Sequence, residues 1–200
     1  MSEKSIDLIL ASSSIYRADT LHALGFSFKT EHPEVSETDY LERDPQLRSM
    51  ILAEAKSRAV ARHHPGDVVI GSDQVGSVDG DLLEKPGTPS RAISQLKQCS
   101  GKIATFYTSV CVTAPTFVAP SVCVTTQLQF RALTEHEISR YVEHDNPVDC
   151  AGAFKIERAG LLLFDRVRSD DPSALIGLPV IATLSLLRKA GFDPLRTLSA

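Results

Sequence analysis

The chain has no CxxC spacing, no excess of positive charge, no long apolar run and no internal repeat. Its four cysteines, Cys99, Cys111, Cys123 and Cys150, lie far apart. That spacing excludes the common zinc patterns and offers no disulfide framework, so they read as core or surface thiols of a reducing compartment. No stretch approaches the roughly 20 apolar residues of a membrane helix. The opening Met1-Ser2-Glu3-Lys4-Ser5-Ile6-Asp7 lacks an apolar signal core, and Leu8-Ile9-Leu10-Ala11 is too short for one. A cytoplasmic protein without a membrane partner is expected. A formal net charge of −4 provides no broad field for DNA or RNA. A small anion in a local basic pocket is still compatible with it.

What is present suits a globular enzyme. Two hundred residues, 42% hydrophobic and 23% charged, fill one compact domain or two closely packed lobes and argue against disorder. Leu8-Ile9-Leu10-Ala11 reads as a buried strand, followed by Ser12-Ser13-Ser14 and a helix from Tyr16 through Leu21 and Leu24 to a capping Gly25. A strand, a serine-rich turn and a helix N-terminus gather free N–H groups and hydroxyls, which is a natural anion site. Asp44-Pro45 opens a second helix through Leu47, Ile51, Ala55 and Ala59, stopped by His63-His64-Pro65-Gly66. Val68-Val69-Ile70 is a strand that delivers Gly71-Ser72-Asp73-Gln74 at its C-terminal end, where α/β sheets place ligands. Thr88-Pro89 starts a third helix, ending near Ser100-Gly101.

Thr105–Val112 and Val122–Phe130 form a hairpin-like excursion. Thr134-Glu135-His136-Glu137 is a capping box for a helix through Ile138 and Val142. Gly152–Ile156 and Leu161–Val167 read as strands, and Gly177-Leu178-Pro179 introduces a last helix through Ile181, Leu184 and Leu187 to Gly191. The alternation predicts a mixed α/β class.

Asp73 follows a strand end in a turn eased by Gly71. Taken alone it suits a turn or cap residue as well as a catalytic carboxylate. Glu37, in the acidic loop Pro33–Thr38, supplies a second carboxylate of the kind a divalent ion takes together with substrate oxygens and water. Lys85 stands in a rigid Lys85-Pro86-Gly87 turn, and Lys56 is a helix lysine, exposed by default. Arg17 lies in the first turn of its helix, where a cation opposes the macrodipole unless an anion binds there. His63-His64 reads as a solvated helix end, and Asp170-Asp171-Pro172 as an Asp-Pro turn.

These segments in this order, with Tyr16-Arg17, Lys85-Pro86, Ser100-Gly101, Gly152-Ala153-Phe154 and Gly177-Leu178-Pro179, closely resemble the Maf family from about Leu8 to Gly191. The resemblance implies an elongated, twisted sheet with flanking helices, an inosine-triphosphatase-like fold whose two lobes enclose a substrate cleft. It also implies a nucleoside triphosphate pyrophosphatase using Mg²⁺ or Mn²⁺. By position, Asp73 would be the base and a metal neighbour, Glu37 would help hold the cation, and Ser12, Ser14, Arg17, Lys56 and Lys85 would bind the triphosphate. Tyr16, Gln74 and Glu157 replace the arginine, threonine and glutamine of the pyrimidine-specific members, and Ala104 replaces a usual histidine. These departures match the branch acting on 7-methyl-GTP. Tyr16 would stack on a cationic ring, worth on the order of 0.5–2 kcal/mol. A buried Glu157 would accept from guanine N1–H and the exocyclic amine. A homodimer is implied by resemblance only. The alternatives are a pyrimidine or broad non-standard triphosphate pyrophosphatase, and a nucleotide-binding regulator of division that turns nothing over.

Overall fold

A computed structural model describes residues 6–40 and 42–197. Most of the reading of Met1–Asp7 as free of a signal core therefore lies outside the described residues. The chain forms two compact units. The first holds the residues up to Asp73, Thr108–Val124 and those from Asp171 onward; the second holds Gln74–Tyr107 and Thr125–Asp170. The strands hydrogen-bond in the order β2 (Lys29–Glu31), β1 (Leu8–Ala11), β3 (Val68–Val78), β5 (Ile103–Ala114), β7 (Val122–Phe130), β8 (Phe164–Ser169). In addition, β4 (Asp81–Leu83) pairs antiparallel with β3, and β6 (Phe117–Val118) pairs antiparallel with β5. β1 runs parallel to β2 and β3, whereas β8 is antiparallel to β7, so the sheet is mixed.

In the first unit, all four residues of β1 are buried. Leu8 and Leu10 join Leu21 of α1 (Ile15–Ala23) and Leu186 and Leu187 of α5 (Val180–Lys189) in one cluster. Ile9 and Ala11 join Val60 of α2 (Pro45–Ala61) in another. A strand covered on both faces shows a continuous apolar run instead of alternation. Each fully buried Leu or Ile contributes roughly 1.5–3 kcal/mol.

The helix ends follow the sequence signals. Ser14 caps α1 by accepting the Arg17 N–H, and Gly25, at φ 78°, closes it. The Gly25 N–H donates to the His22 carbonyl and the Phe26 N–H to the Leu21 carbonyl, a Schellman closure with Leu21 and Phe26 both buried. Asp44 caps α2 through the Leu47 N–H at 2.8 Å.

Three expectations need correction. First, α2 turns a different face inward. Leu47 and Ile51 are exposed, and the buried positions are Ser49, Leu52, Ala53, Lys56, Ser57 and Val60. The polar ones have partners: Ser49 Oγ lies 2.7 Å from Ser109 Oγ, and Ser57 Oγ donates to Thr113 Oγ1 at 2.7 Å.

Second, β3 does not stop at Ile70. It runs to Val78, so Gly71-Ser72-Asp73-Gln74 is strand interior and not a turn. Gly71 is there because a Cβ would collide with the Ala53 carbonyl and the Ser57 amide nitrogen of α2.

Third, Gly152–Ile156 is not a strand. Gly152 and Ala153 hold φ of 81° and 58°, which is left-handed turn backbone. Within Leu161–Val167 only the part from Phe164 is strand; Ala159–Leu163 is a 3₁₀ turn.

In the second unit, α3 (Pro89–Cys99) packs on α4 (Glu135–Asp145). The Thr134–Glu137 capping box is formed. Phe154 meets Phe106, Phe130 and Phe164 edge-on, with ring centroids 5.3, 6.2 and 5.1 Å away. Such pairs add about 0.5–1.5 kcal/mol each beyond their area. Cys99 and Cys111 are buried, and all four cysteines are free thiols.

Candidate active site

The absence of a side chain at Gly71 lets α2 lie directly on β3. Lys56, which precedes Ser57 on α2, is thereby delivered to Asp73, two residues along the strand. Its Nζ donates to Asp73 Oδ1 at 2.6 Å and to Glu37 Oε1 at 2.6 Å. The Lys56 and Asp73 side chains are 8% and 7% exposed, whereas Glu37 is 56% exposed on the short turn Glu37–Asp39. A buried lysine between two carboxylates, one wet and one dry, is the centre of the first unit.

A second cation stands nearby. Arg17 Nε donates to the Gly177 carbonyl at 2.7 Å, and Nη1 donates to Ser12 Oγ at 3.2 Å. Ser12 Oγ also accepts the Ser14 N–H at 3.1 Å. The Gly177 carbonyl receives the Ser72 hydroxyl as well, at 2.9 Å, and the same hydroxyl points at the Ser109 carbonyl at 2.8 Å. Gly177 holds φ 115°, a conformation that side-chain-bearing residues rarely adopt, and a Cβ there would lie at ordinary contact distance, 3.4 Å, from Arg17 Nε. Ser72, Gly177 and Arg17 therefore hold one another.

The charges set the titration. Burial lifts the Asp73 carboxyl above its ordinary value, with the Lys56 and Arg17 cations opposing that shift. Burial lowers the Arg17 guanidinium from its ordinary value, with Asp73 and Glu37 opposing. A guanidinium still stays charged at any working pH. The arrangement offers two fixed cations for an anion and a dry carboxylate of raised basicity, which together suit hydrolysis of a phosphate ester or anhydride.

No group of three His, Cys, Asp or Glu residues among the described residues is placed to hold a metal. Glu37 and Asp73 provide two carboxylates. That donor set fits a Mg²⁺-type ion completed by phosphate oxygens and water, because such ions take one or two carboxylates and not an all-protein cage.

Residues 7–190 match the Maf-like protein family. The chain belongs to this family. Among its relatives, the 7-methyl-GTP pyrophosphatase of Bordetella avium is 46% identical over 190 residues, covering 95% of this chain and 96% of the relative. The 7-methyl-GTP pyrophosphatase of Saccharophagus degradans is 40% identical over 195 residues, covering 97% and 99%. Among solved structures, the Staphylococcus aureus Ham1 protein superposes with a TM-score of 0.51 at 14% identity, over 92% of this chain and 98% of that one. This likeness concerns the fold.

Of the site residues expected for this Maf-like chain, the first unit contains Ser12, Ser14, Tyr16, Arg17, Glu37, Lys56 and Asp73, and the second contains Gln74, Lys85 and Glu157. Hydrogen bonds link Ser12, Ser14 and Arg17, and separately Glu37, Lys56 and Asp73. Tyr16 is half-buried on α1. Gln74 follows Asp73 within β3, and consecutive strand residues face opposite sides, so it does not share the Asp73 face. Lys85 is exposed in a turn pinned by the Gly87 N–H on the Val148 carbonyl at 2.8 Å. Glu157 is exposed, not buried, so a base has to desolvate it to gain the expected selectivity.

Sequence signals do not assign Ser49, Ser57, Ser72 or Gly177 to the site, and they read Lys56 as exposed although the resemblance places it there. A usable signal existed for α2: Ser49, Lys56 and Ser57 recur at i, i+7 and i+8, one side of a helix. His63 and His64 both face Glu31, at 3.4 and 2.6 Å, and Asp171 caps the turn Pro172–Ile176 and accepts the Ile181 N–H at 2.7 Å.

Proposed function

We propose that this chain hydrolyses 7-methyl-GTP to 7-methyl-GMP and pyrophosphate in the cytoplasm, with Asp73 as the base. The observation that carries the reading is the Glu37–Lys56–Asp73 chain of 2.6 Å contacts, with Arg17 close enough to act on the Asp73 charge. The names of relatives 40–46% identical over nearly their whole length support the substrate. No helix of the described residues is long and apolar enough to cross a membrane.

Lys56 occupies Asp73 Oδ1, which leaves Oδ2 to accept a proton from water. The water oxygen bonds to the α-phosphorus as the bond from that phosphorus to the bridging oxygen breaks, and pyrophosphate leaves with that oxygen. Arg17, Lys56 and Lys85 neutralise the departing charge, while Ser12 and Ser14 present hydroxyls to the phosphates. A divalent ion, Mg²⁺ or Mn²⁺, held by Glu37 and phosphate oxygens with Asp73 as its neighbour, would supply further charge neutralisation. Tyr16 stacks on the methylated ring and Glu157 accepts from its polar edge, whereas Gln74, turned away from the Asp73 face, is assigned to substrate selection by family resemblance alone. A homodimer is the assembly in which this chemistry is proposed.

The test is pyrophosphate release from 7-methyl-GTP, GTP, UTP and dTTP, with and without metal. Turnover led by 7-methyl-GTP is expected. Preference for a pyrimidine triphosphate would overturn the substrate, and binding without release from any of them would make the chain a regulator.

A further inference from the structure

Glu157 lies in a loop without regular structure, yet the backbone is fixed two residues to either side of it. The Lys155 N–H donates to Tyr141 Oη at 2.9 Å, and the Ala159 N–H donates to Asp145 Oδ2 at 3.1 Å. Tyr141 and Asp145 are four apart on α4, so both project from one face of that helix. The loop is also closed on itself. The Arg158 and Gly160 N–H groups both donate to the Lys155 carbonyl, at 3.2 and 3.0 Å, and a Cβ at Gly160 would collide with that carbonyl. Upstream, Phe154 is wedged among three phenylalanine rings. Glu157 is therefore an exposed carboxylate on a rigid mount.

Asp145 is costly for stability alone. It is 1% exposed, and its Oδ1 accepts no hydrogen bond among the described residues. Arg158 Nε stands 3.7 Å and His144 Nε2 3.8 Å from that oxygen, both beyond hydrogen-bond distance. A buried carboxylate oxygen without a hydrogen bond is unfavourable, and an apolar residue at this helix position would pack without that penalty. What the carboxylate does provide is the acceptor for Ala159 and an interaction with the Tyr141 hydroxyl, so the two brackets also hold each other.

We propose that Tyr141 and Asp145 are positioning residues for base selectivity, bracketing the loop so that Glu157 meets the nucleobase at a fixed height. The inference rests on the reading of Glu157 as the base acceptor. Neither residue touches substrate in this scheme; both act through the Lys155 and Ala159 amides.

The experiment measures kcat and KM for 7-methyl-GTP and UTP in the full-length protein and in Tyr141→Phe, Asp145→Ala, Asp145→Asn and Glu157→Gln. Amide hydrogen exchange at Lys155 and Ala159 is followed alongside. Losing one such hydrogen bond is expected to lower the 7-methyl-GTP to UTP ratio of kcat/KM about fivefold in Tyr141→Phe and in Asp145→Ala. The change should fall on KM for 7-methyl-GTP, with UTP turnover kept and exchange faster at the amide released. Asp145→Asn retains an oxygen for Ala159 and should retain the ratio. Faster exchange with an unchanged ratio overturns the proposal, as does an equal loss on both substrates, which marks a structural role. A Glu157→Gln effect without a Tyr141 or Asp145 effect sinks the bracket alone. An unchanged ratio in Glu157→Gln removes the base-acceptor reading and the bracket with it.

Discussion

The two units hold their functional groups in opposite ways. In the first, charged side chains hold one another: Lys56 spans Glu37 and Asp73, and Arg17 is gripped by the Gly177 carbonyl and Ser12. In the second, Glu157 makes its own side chain available while the backbone around it is clamped by Tyr141 and Asp145. Groups that move protons and neutralise phosphate need a tuned electrostatic setting, which burial and neighbouring charges provide together. A group that selects a base needs a fixed position and an open face. Changes at Asp73, Lys56 and Arg17 should therefore alter rate for every substrate, and changes around Glu157 should alter which substrate is chosen.

The largest effect is expected at Asp73. Asp73→Asn should lower kcat for all triphosphates about 10²–10⁴-fold with the fold intact by circular dichroism. Near-normal turnover in that variant would remove Asp73 as the base. Lys56→Met should follow at about 10²-fold. It also removes an opposing cation, so the Asp73 carboxyl rises further and the acid limb of the pH–rate profile moves toward neutrality. In the parent, that limb is expected above the ordinary carboxylate range, because burial raises the Asp73 carboxyl.

The sign for stability is the reverse of the usual carboxylate case. With the folded value raised, the Asp73 contribution is complete below its unfolded pKa and is lost as pH rises through the folded one. Asp73→Asn should accordingly flatten the decline in melting temperature over that window, and a parallel decline in both proteins would contradict the shift.

Smaller effects sharpen the contrast. Gly71→Ala forces α2 away from β3 and should cost about 1–3 kcal/mol in denaturant unfolding, with activity lost as Lys56 is displaced. Glu157→Gln should leave UTP turnover alone and lower the preference for 7-methyl-GTP about fivefold, the scale of one weakened charge-assisted hydrogen bond. Equal losses on the two substrates would erase the division of labour.

Local signals predicted the parts of the fold that depend on local chemistry. The buried run of β1, the Gly25 closure, the Asp44-Pro45 start and the Thr134–Glu137 box each involve residues within a few positions of one another, and each forms. What failed depends on distant partners. Gly71-Ser72-Asp73-Gln74 has turn composition, but neighbouring strands continue to pair with it, and its glycine serves a helix that approaches from elsewhere in the chain. Lys56 looked like surface because helix lysines usually are; its burial follows from Asp73 and Glu37 being within reach. Gly152–Ile156 had strand-like residues, and two positive φ angles make it a turn. The family resemblance supplied the candidate site residues, whereas the ion chain joining three of them required the fold.

Lys56 has one more consequence. A chain that must bring carboxylates together usually needs an outside ion to relieve their repulsion, and such a protein unravels when that ion is stripped away. Here the relief is covalently attached, an ammonium carried on α2. Assembly of this region is thus expected not to depend on metal supply. Exhaustive chelation should stop turnover while leaving the melting temperature in place; a fall in melting temperature on chelation would show that an ion, and not Lys56, holds the two carboxylates together.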